Sequence, residues 1–354
     1  KRRKEIIQFN NENKLFKKGI ALTPVKFGIS FTATWFNQGG ALVHIYTDGS
    51  VTVNHGGTEM GQGLHTKVLG VITHELGVSF DKIKITDTDT SKIANTSATA
   101  ASSGSDLNGM AAYNAVKKIK KRLINYISNR YEVSTKHIKF KNNYIFIPDK
   151  ILPFHEIVKE AYLERIQLWD SGFYKTPKIH WDRNMARGKP FYYYSYGAAV
   201  SEVLIDTLTG EYEIRRVDIL HDVGKSLNKT IDMGQIEGGF IQGMGWLTCE
   251  ELFWGPDGAL KTHAPSTYKI PLASDRPDIF NIKIASWSRN LEKTIKRSKA
   301  VGEPPFMLAI SVHEAIQMAV ASVSDYKINP RLNAPATPEE VLSSIYNTQR
   351  ITQV

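Results

Sequence analysis

Ala41-Leu42-Val43-His44-Ile45-Tyr46-Thr47-Asp48-Gly49-Ser50-Val51-Thr52-Val53-Asn54-His55-Gly56-Gly57-Thr58-Glu59-Met60-Gly61-Gln62-Gly63-Leu64 carries two kinds of local order in succession. Residues 41–46 and 51–53 alternate at strand period, and Asp48-Gly49 between them is a hairpin turn. The glycine-rich run then enters a segment in which Leu64, Val68, Ile72 and Leu76 share one helical face, stopped by Gly77. Downstream come a short strand at Ile83-Lys84-Ile85, a small-residue loop from Thr96 to Ser105, and a longer helix from about Asp106 with Leu107, Met110, Ala111, Val116, Ile119 and Leu123 at helical spacing. A shorter helix is expected near Phe154 to Glu164.

A second strand-rich section starts around Gly188-Lys189-Pro190. Ala198 to Ile205 and Tyr212 to Leu220 read as a hairpin about Thr209-Gly210. A glycine-rich turn and helix follow at Asp232 to Leu247, and a final helix opens after Gly302-Glu303-Pro304-Pro305 and runs through Leu308, Val312, Ile316 and Val320. The pattern predicts an α+β architecture of two mixed α/β subdomains, residues 1–190 and 191–354, divided between about 185 and 195. Each half is laid out as hairpin, glycine-rich segment and helix, without a sequence repeat.

At 354 residues the chain is long enough for one large or two ordinary cores. No run approaches ~18 consecutive apolar residues, so no membrane span is expected. The N-terminus has no apolar signal core and opens with Lys1, which points to a processed chain, a subunit boundary or a piece of something longer. The net charge of +10 raises nucleic acid as a partner. The basic residues are instead scattered or grouped on solvated helix faces, as at Lys117, Lys118, Lys120, Lys121 and Arg122. An acidic partner subunit or an anionic cofactor is the better match, and Lys1-Arg2-Arg3-Lys4 reads as a solvated end. The single Cys249 excludes a disulfide within the chain, suits a reducing, cytoplasmic compartment, and falls short of the about four thiolates an iron–sulfur cluster requires.

Three segments share small residues that deliver backbone amides to a helix start: Gly56–Gly63, Ala100-Ala101-Ser102-Ser103-Gly104-Ser105, and Gly234-Gln235-Ile236-Glu237-Gly238-Gly239-Phe240. Each by itself is equally a helix cap; together they suit a phosphate-bearing ligand. Walker, dinucleotide-binding and nucleophile-elbow patterns are absent. His74-Glu75, His155-Glu156 and His313-Glu314 each lack the second histidine of a zinc helix, and lone histidines read as structural. Glu303 stands between Gly302 and Pro304-Pro305, a carboxylate on a stiffened helix start. It is a candidate general base, or alternatively a surface cap.

Several stretches, in order along the chain, resemble signatures of the xanthine dehydrogenase family. They are Phe27-Gly28-Ile29-Ser30-Phe31-Thr32, residues 55–67, Thr99-Ala100-Ala101-Ser102, Ser171-Gly172-Phe173-Tyr174, Asp222-Val223-Gly224, residues 265–271, Lys299-Ala300-Val301-Gly302-Glu303-Pro304-Pro305, and residues 334–339. The resemblance covers about residues 2 to 345 and is to the molybdopterin-binding, C-terminal portion. Departures are small: Gly104 and Met110 stand where relatives vary, and Phe306 where Leu is frequent.

The resemblance implies molybdenum held by the dithiolene of molybdopterin, without a protein metal ligand. Gln62, Ala100, Ala101, Ser102, Gly104 and Gln235 would hydrogen-bond the pterin or its phosphate. Glu303 would deprotonate a molybdenum-bound hydroxide that attacks C8 of xanthine while hydride passes to Mo=S. Phe31 would stack on the purine and Thr32 would contact it, a pair that favours a purine over the aldehydes or other N-heterocycles taken by related oxidases. The family's 2Fe–2S and FAD portions, and the earlier part of its molybdenum region, would lie on other stretches or subunits of an oligomeric enzyme. Whether NAD or oxygen accepts the electrons is decided there. A non-catalytic anion-binding or assembly module is the alternative from outside this class.

Overall fold

A computed structural model describes residues 1–352. The chain runs α1 (Arg2–Glu12), β1 (Phe16–Ile29), β2 (Gln38–Ile45), β3 (Val51–His55), α2 (Leu64–Leu76), β4 (Ile83–Ile85) and α3 (Gly104–Arg130). It continues through β5 (Lys139–Lys141), β6 (Tyr144–Ile147), β7 (Lys150–Pro153), α4 (Phe154–Leu163), β8 (Trp169–Lys175), β9 (His180–Asp182) and β10 (Arg187–Lys189). Then come β11 (Tyr193–Asp206), β12 (Tyr212–His221), α5 (Lys229–Thr248), β13 (Ile279–Ile284), α6 (Pro304–Leu308), α7 (Ile310–Ala321) and α8 (Pro338–Thr352).

The β2–β3 hairpin turns at Gly49, where φ is +82° and the backbone takes the left-handed conformation that glycine adopts without a Cβ clash. Asp48 caps the turn through the Ser50 amide. α2 crosses back so that β4 pairs parallel to β3, and β8 closes the other edge, giving the order β4-β3-β2-β8. α2 buries Leu64, Val68, Ile72 and Leu76, and α3 buries Ala111, Ala115, Ile119 and Leu123 in the same core. Contact is tight where α3 meets β8: a Cβ on Gly172 would lie 1.9 Å from the Ala111 carbonyl oxygen.

The second sheet repeats this plan. β11 and β12 form a hairpin, α5 crosses back, β13 pairs parallel to β12, and β1 closes the far edge in the order β1-β11-β12-β13. In each unit a further helix follows the parallel strand: α3 after β4, and α6 with α7 after β13. The two units therefore present corresponding helix starts, α2 with α5 and α3 with α6.

Three expectations change. The division at residue 190 follows the chain, but the cores do not. β1 pairs along its whole length with β11, and Val25 packs with Ala199 and Leu308 in the second core. The opening basic run is also not simply solvated, since Arg2 reaches Glu202 of β11 at 2.6 Å. The last expected helix is broken at Ala309 between α6 and α7, and α8 follows it. Pro304–Ser324 is by length and composition apolar enough to cross a bilayer, although Ser311, His313, Glu314 and Gln317 leave it without a run of ~18 consecutive apolar residues. Here it carries Leu308, Val312, Ala315, Ile316 and Ala319 into the second core, which accounts for its hydropathy.

Candidate functional site

A cavity of about 530 Å³ lies between the two units, where the starts of α2, α3, α5 and α6 converge. Gln62, Ala100, Ala101, Ser102, Gly104, Gln235 and Glu303 all line it. Phe31 and Thr32 are not among its lining residues. They follow Ile29, which packs with Ala300 three positions before Glu303, and the Phe31 ring meets Phe36 edge-on at 5.6 Å.

The three glycine-rich segments behave differently from one another. In the first, the amides expected to face a ligand are taken by the chain itself. Glu59 accepts from the amides of Gly61, Gly63 and His65 at 2.9–3.0 Å, so its carboxylate is the anion at the start of α2. Burial pushes the Glu59 pKa up, but the three amide donations outweigh it and hold the group below the usual carboxylate range. The Gln62 side chain is likewise folded back, accepting from the Met60 amide and donating to the Thr58 carbonyl.

In the second segment the amides are open. Ala101 and Ser102 are both left-handed, with φ of 52° and 54°, an uncommon conformation for residues with a Cβ. Among the described residues nothing accepts from the amides of Ala101, Ser102, Gly104, Ser105 or Asp106; only Ser103 and Leu107 are bonded, at the start of α3. These donors stand at the positive end of a 27-residue helix.

The third segment is not a loop. Residues 234–240 lie inside α5, so their amides are spent on the helix. Its glycines serve packing: a Cβ on Gly239 would lie 3.1 Å from Pro305 Cβ, and one on Gly243 would lie 2.3 Å from the Phe306 carbonyl oxygen. The glycine face lets α6 settle on α5, and Gln235 is offered to the cavity as a side chain.

Glu303 precedes α6 without capping it, because Pro304 and Pro305 hold the first two helical positions and have no N–H to give. Its Oε2 instead accepts from the Ser102 hydroxyl at 2.9 Å, while the Glu303 amide donates to the same Ser102 oxygen at 2.8 Å. One unit thus anchors the carboxylate that the other carries. Oε1 has no hydrogen-bond partner among the described residues.

Sequence patterns did not expose Lys67, Asp232, Asp106 and Tyr193. Lys67 Nζ of α2 meets Asp232 Oδ1 of α5 at 2.6 Å, both nearly fully buried at the cavity wall, and Ser226 donates to the other Asp232 oxygen at 2.5 Å. Asp106 accepts from the buried Tyr193 hydroxyl at 2.6 Å. Their partners lie too far apart in sequence for any local pattern to report.

Burial raises the Asp106 carboxyl to about 7, against lowering by the Tyr193 hydrogen bond and the Lys67 charge. The folded state therefore keeps a proton that the unfolded chain releases near the ordinary 3.8. Its contribution is fully present below that pH and lost as pH rises through about 7, at about 1.4 kcal/mol per pH unit while the two states differ. His55 and His221, depressed to about 4 chiefly by burial, act on the acid side: their contribution is lost as pH falls from 6.5 through 4. Asp106→Asn is expected to flatten the decline between pH 4 and 7, read from urea midpoints against pH. An unchanged slope would refute the assignment.

A family model described as the molybdopterin cofactor-binding domain matches residues 1–277. The xanthine dehydrogenase/oxidase of Felis catus is 46% identical over 346 residues, covering 96% of this chain and 24% of that one. Xanthine dehydrogenase of Oryza sativa subsp. japonica is 46% identical over 350 residues, with the same coverage of both chains. The chain thus spans about a quarter of the length of these curated relatives. Among solved structures it resembles the Cu,Mo-CO dehydrogenase, with a TM-score of 0.82 at 19% identity over 98% of this chain and 43% of that one. Quinoline 2-oxidoreductase from Pseudomonas putida 86 is similar, with a TM-score of 0.82 at 22% identity over 97% and 43%. At such identities the likeness is one of fold.

The cavity's chemistry fits a molybdopterin. A phosphate matches the open amides of Ala101, Ser102, Gly104, Ser105 and Asp106 at a positive helix end, and a pterin edge matches the unengaged carboxamides of Gln235 and Gln242. Among the described residues no three His, Cys, Asp or Glu side chains converge as a metal-binding group.

Proposed function

We propose that this chain, which belongs to the molybdopterin cofactor-binding domain family, is the cofactor-holding part of a xanthine dehydrogenase that hydroxylates hypoxanthine and xanthine to urate. The observation that carries this is the Ser102–Glu303 pairing at the mouth of the open-amide loop, which puts one fixed carboxylate beside the cofactor cradle. Ala101, Ser102 and Gly104 would hold the anionic end through their amides, Ala100 would line the cradle beside them, and Gln235 would hold the pterin edge. Gln62 would contribute only by exchanging its own loop bonds for the ligand. When bound, the group supplies the molybdenum centre at which a CH group is oxidised and two electrons are taken up.

The chain's own part in the chemistry is proton handling and placement. Glu303 would accept a proton at Oε1, the oxygen left free, while Ser102 keeps Oε2 and so sets the direction of the carboxylate. Phe31 and Thr32 are proposed as purine contacts, on the family resemblance and on their position beyond Ile29, which packs against the Glu303 segment. Since the chain spans 24% of its relatives, the 2Fe–2S and FAD portions and the rest of the molybdenum region would come from the remaining polypeptide or from partner subunits. A cytoplasmic setting suits an unpaired Cys249.

Product analysis on the complete enzyme tests this, with molybdenum measured by mass spectrometry. The expected result is about one molybdenum per copy and urate from both purines, with aromatic aldehydes turned over at least about tenfold less efficiently. Preference for an aldehyde or another N-heterocycle would assign the chain to a related oxidase. Molybdenum bound without turnover of any of them would point to a non-catalytic assembly module.

A further inference from the structure

The backbone ahead of Glu303 is tied down at several points. Lys299 donates its amide to the Val223 carbonyl at 2.8 Å, and its Nζ meets Asp222 at 2.5 Å. The Glu303 amide is held by Ser102. Between them the Ala300 amide donates to the Tyr193 hydroxyl at 2.8 Å, and that hydroxyl donates to Asp106 Oδ2 at 2.6 Å. Asp106 is in the first turn of α3, directly after the loop that supplies Ser102. The start of α3 and the Glu303 segment are therefore joined twice, by Ser102 inside the cavity and by Tyr193–Asp106 behind it.

Packing alone does not call for this second tie. Tyr193 is buried among Ile29, Tyr192 and Ala300, where a phenylalanine ring would bury the same surface. A buried carboxylate is costly unless it is hydrogen-bonded, and here Tyr193 supplies the bond. Gly302, the last residue before Glu303, has no Cβ to limit its backbone, so the direction of the carboxylate depends on ties to either side of it.

We propose that Tyr193 and Asp106 are a positioning pair that fixes the strap from Lys299 to Glu303 and thereby aims the Glu303 carboxylate into the cavity. This rests on Glu303 being the base. Tyr193 relays the position of α3 to the Ala300 amide, so a shift at either end turns the carboxylate away from its reacting partner.

The test uses the complete enzyme and three variants. Tyr193→Phe is expected to lower kcat by about ten- to hundredfold, with KM within about twofold and molybdenum content unchanged. Asp106→Asn keeps an oxygen that can accept from Tyr193 and is expected to retain most of kcat; Asp106→Leu is expected to match Tyr193→Phe. Hydrogen exchange in the peptide spanning residues 299–303 is expected to quicken in Tyr193→Phe and Asp106→Leu only, a readout independent of turnover. Unchanged kcat and exchange in Tyr193→Phe would overturn the proposal. So would a loss of molybdenum in proportion to activity, or an Asp106→Asn variant as impaired as Asp106→Leu. Faster exchange with turnover insensitive to Glu303→Gln would instead remove the base assignment and leave the structural tie in place.

Discussion

Turnover by the complete enzyme is expected to fall by about 10²–10⁴-fold in Glu303→Gln, the range for removing a general base, with molybdenum content and fold unchanged. Glutamine has the same shape and its carbonyl oxygen can still accept from the Ser102 hydroxyl, so the 2.9 Å anchor survives. The Glu303 amide remains bonded to Ser102 and the prolines still start α6. What disappears is an oxygen able to take a proton. Glu303 forms no ion pair among the described residues, so its neutralisation leaves no buried partner uncompensated. The measurements are kcat and molybdenum by mass spectrometry on the same preparation. Undiminished turnover would sink the base assignment, and joint loss of metal and activity would make Glu303 a residue of the cradle instead.

The second large effect concerns stability. Lys67→Met is expected to destabilise the junction of the two units by about 3–5 kcal/mol, the usual cost of stranding one member of a buried ion pair. Lys67 and Asp232 have side chains 8% and 4% exposed, so neither charge is screened by water. Without Lys67, Asp232 keeps only the Ser226 hydroxyl. The pair joins α2 to α5, which also touch where a Cβ on Gly63 would lie 2.7 Å from Ile231. The damage should therefore be local to the cavity. The denaturant dependence of hydrogen exchange in the α2 and α5 peptides checks this. Replacing both partners, as Lys67→Met with Asp232→Leu, is expected to recover much of the loss, because an apolar pair leaves no charge to desolvate. A double variant no better than the single one would mean that the pair contributes more than its mutual neutralisation.

The α2 segment and its hairpin were legible because their signals are local. Leu64, Val68, Ile72 and Leu76 fall on one face, and Gly77 ends the helix in a left-handed conformation. β1 was not legible, since its burial pattern lacks strict alternation and its partners lie at residues 193–206. α1 buries only Ile6 and Asn10, too little for an apolar stripe. The glycines of α5 misled in a particular way. In isolation each disfavours a helix by about 1 kcal/mol relative to alanine, and only the close seat of α6 against Gly239 and Gly243 compensates.

The candidate site divides along the same line. Ser102, Gly104 and Glu303 stood out through small residues and prolines in sequence, and the family resemblance attached roles to them. That the amides after Ala100 are open while those of the first glycine-rich segment are closed on Glu59 could not be read from composition, since both runs look alike.

The sequence by itself determined the α+β class, the shared succession of hairpin, glycine-rich segment and helix in the two halves, and the family, because these rest on periodicity, turn chemistry and contiguous motifs. The tertiary structure alone decided that β1 belongs to the second sheet, that Lys67 finds Asp232, and that Tyr193 joins Asp106 to Ala300. Each of these joins residues far apart in the chain, through burial that withdraws polar groups from water and so compels them to pair with one another.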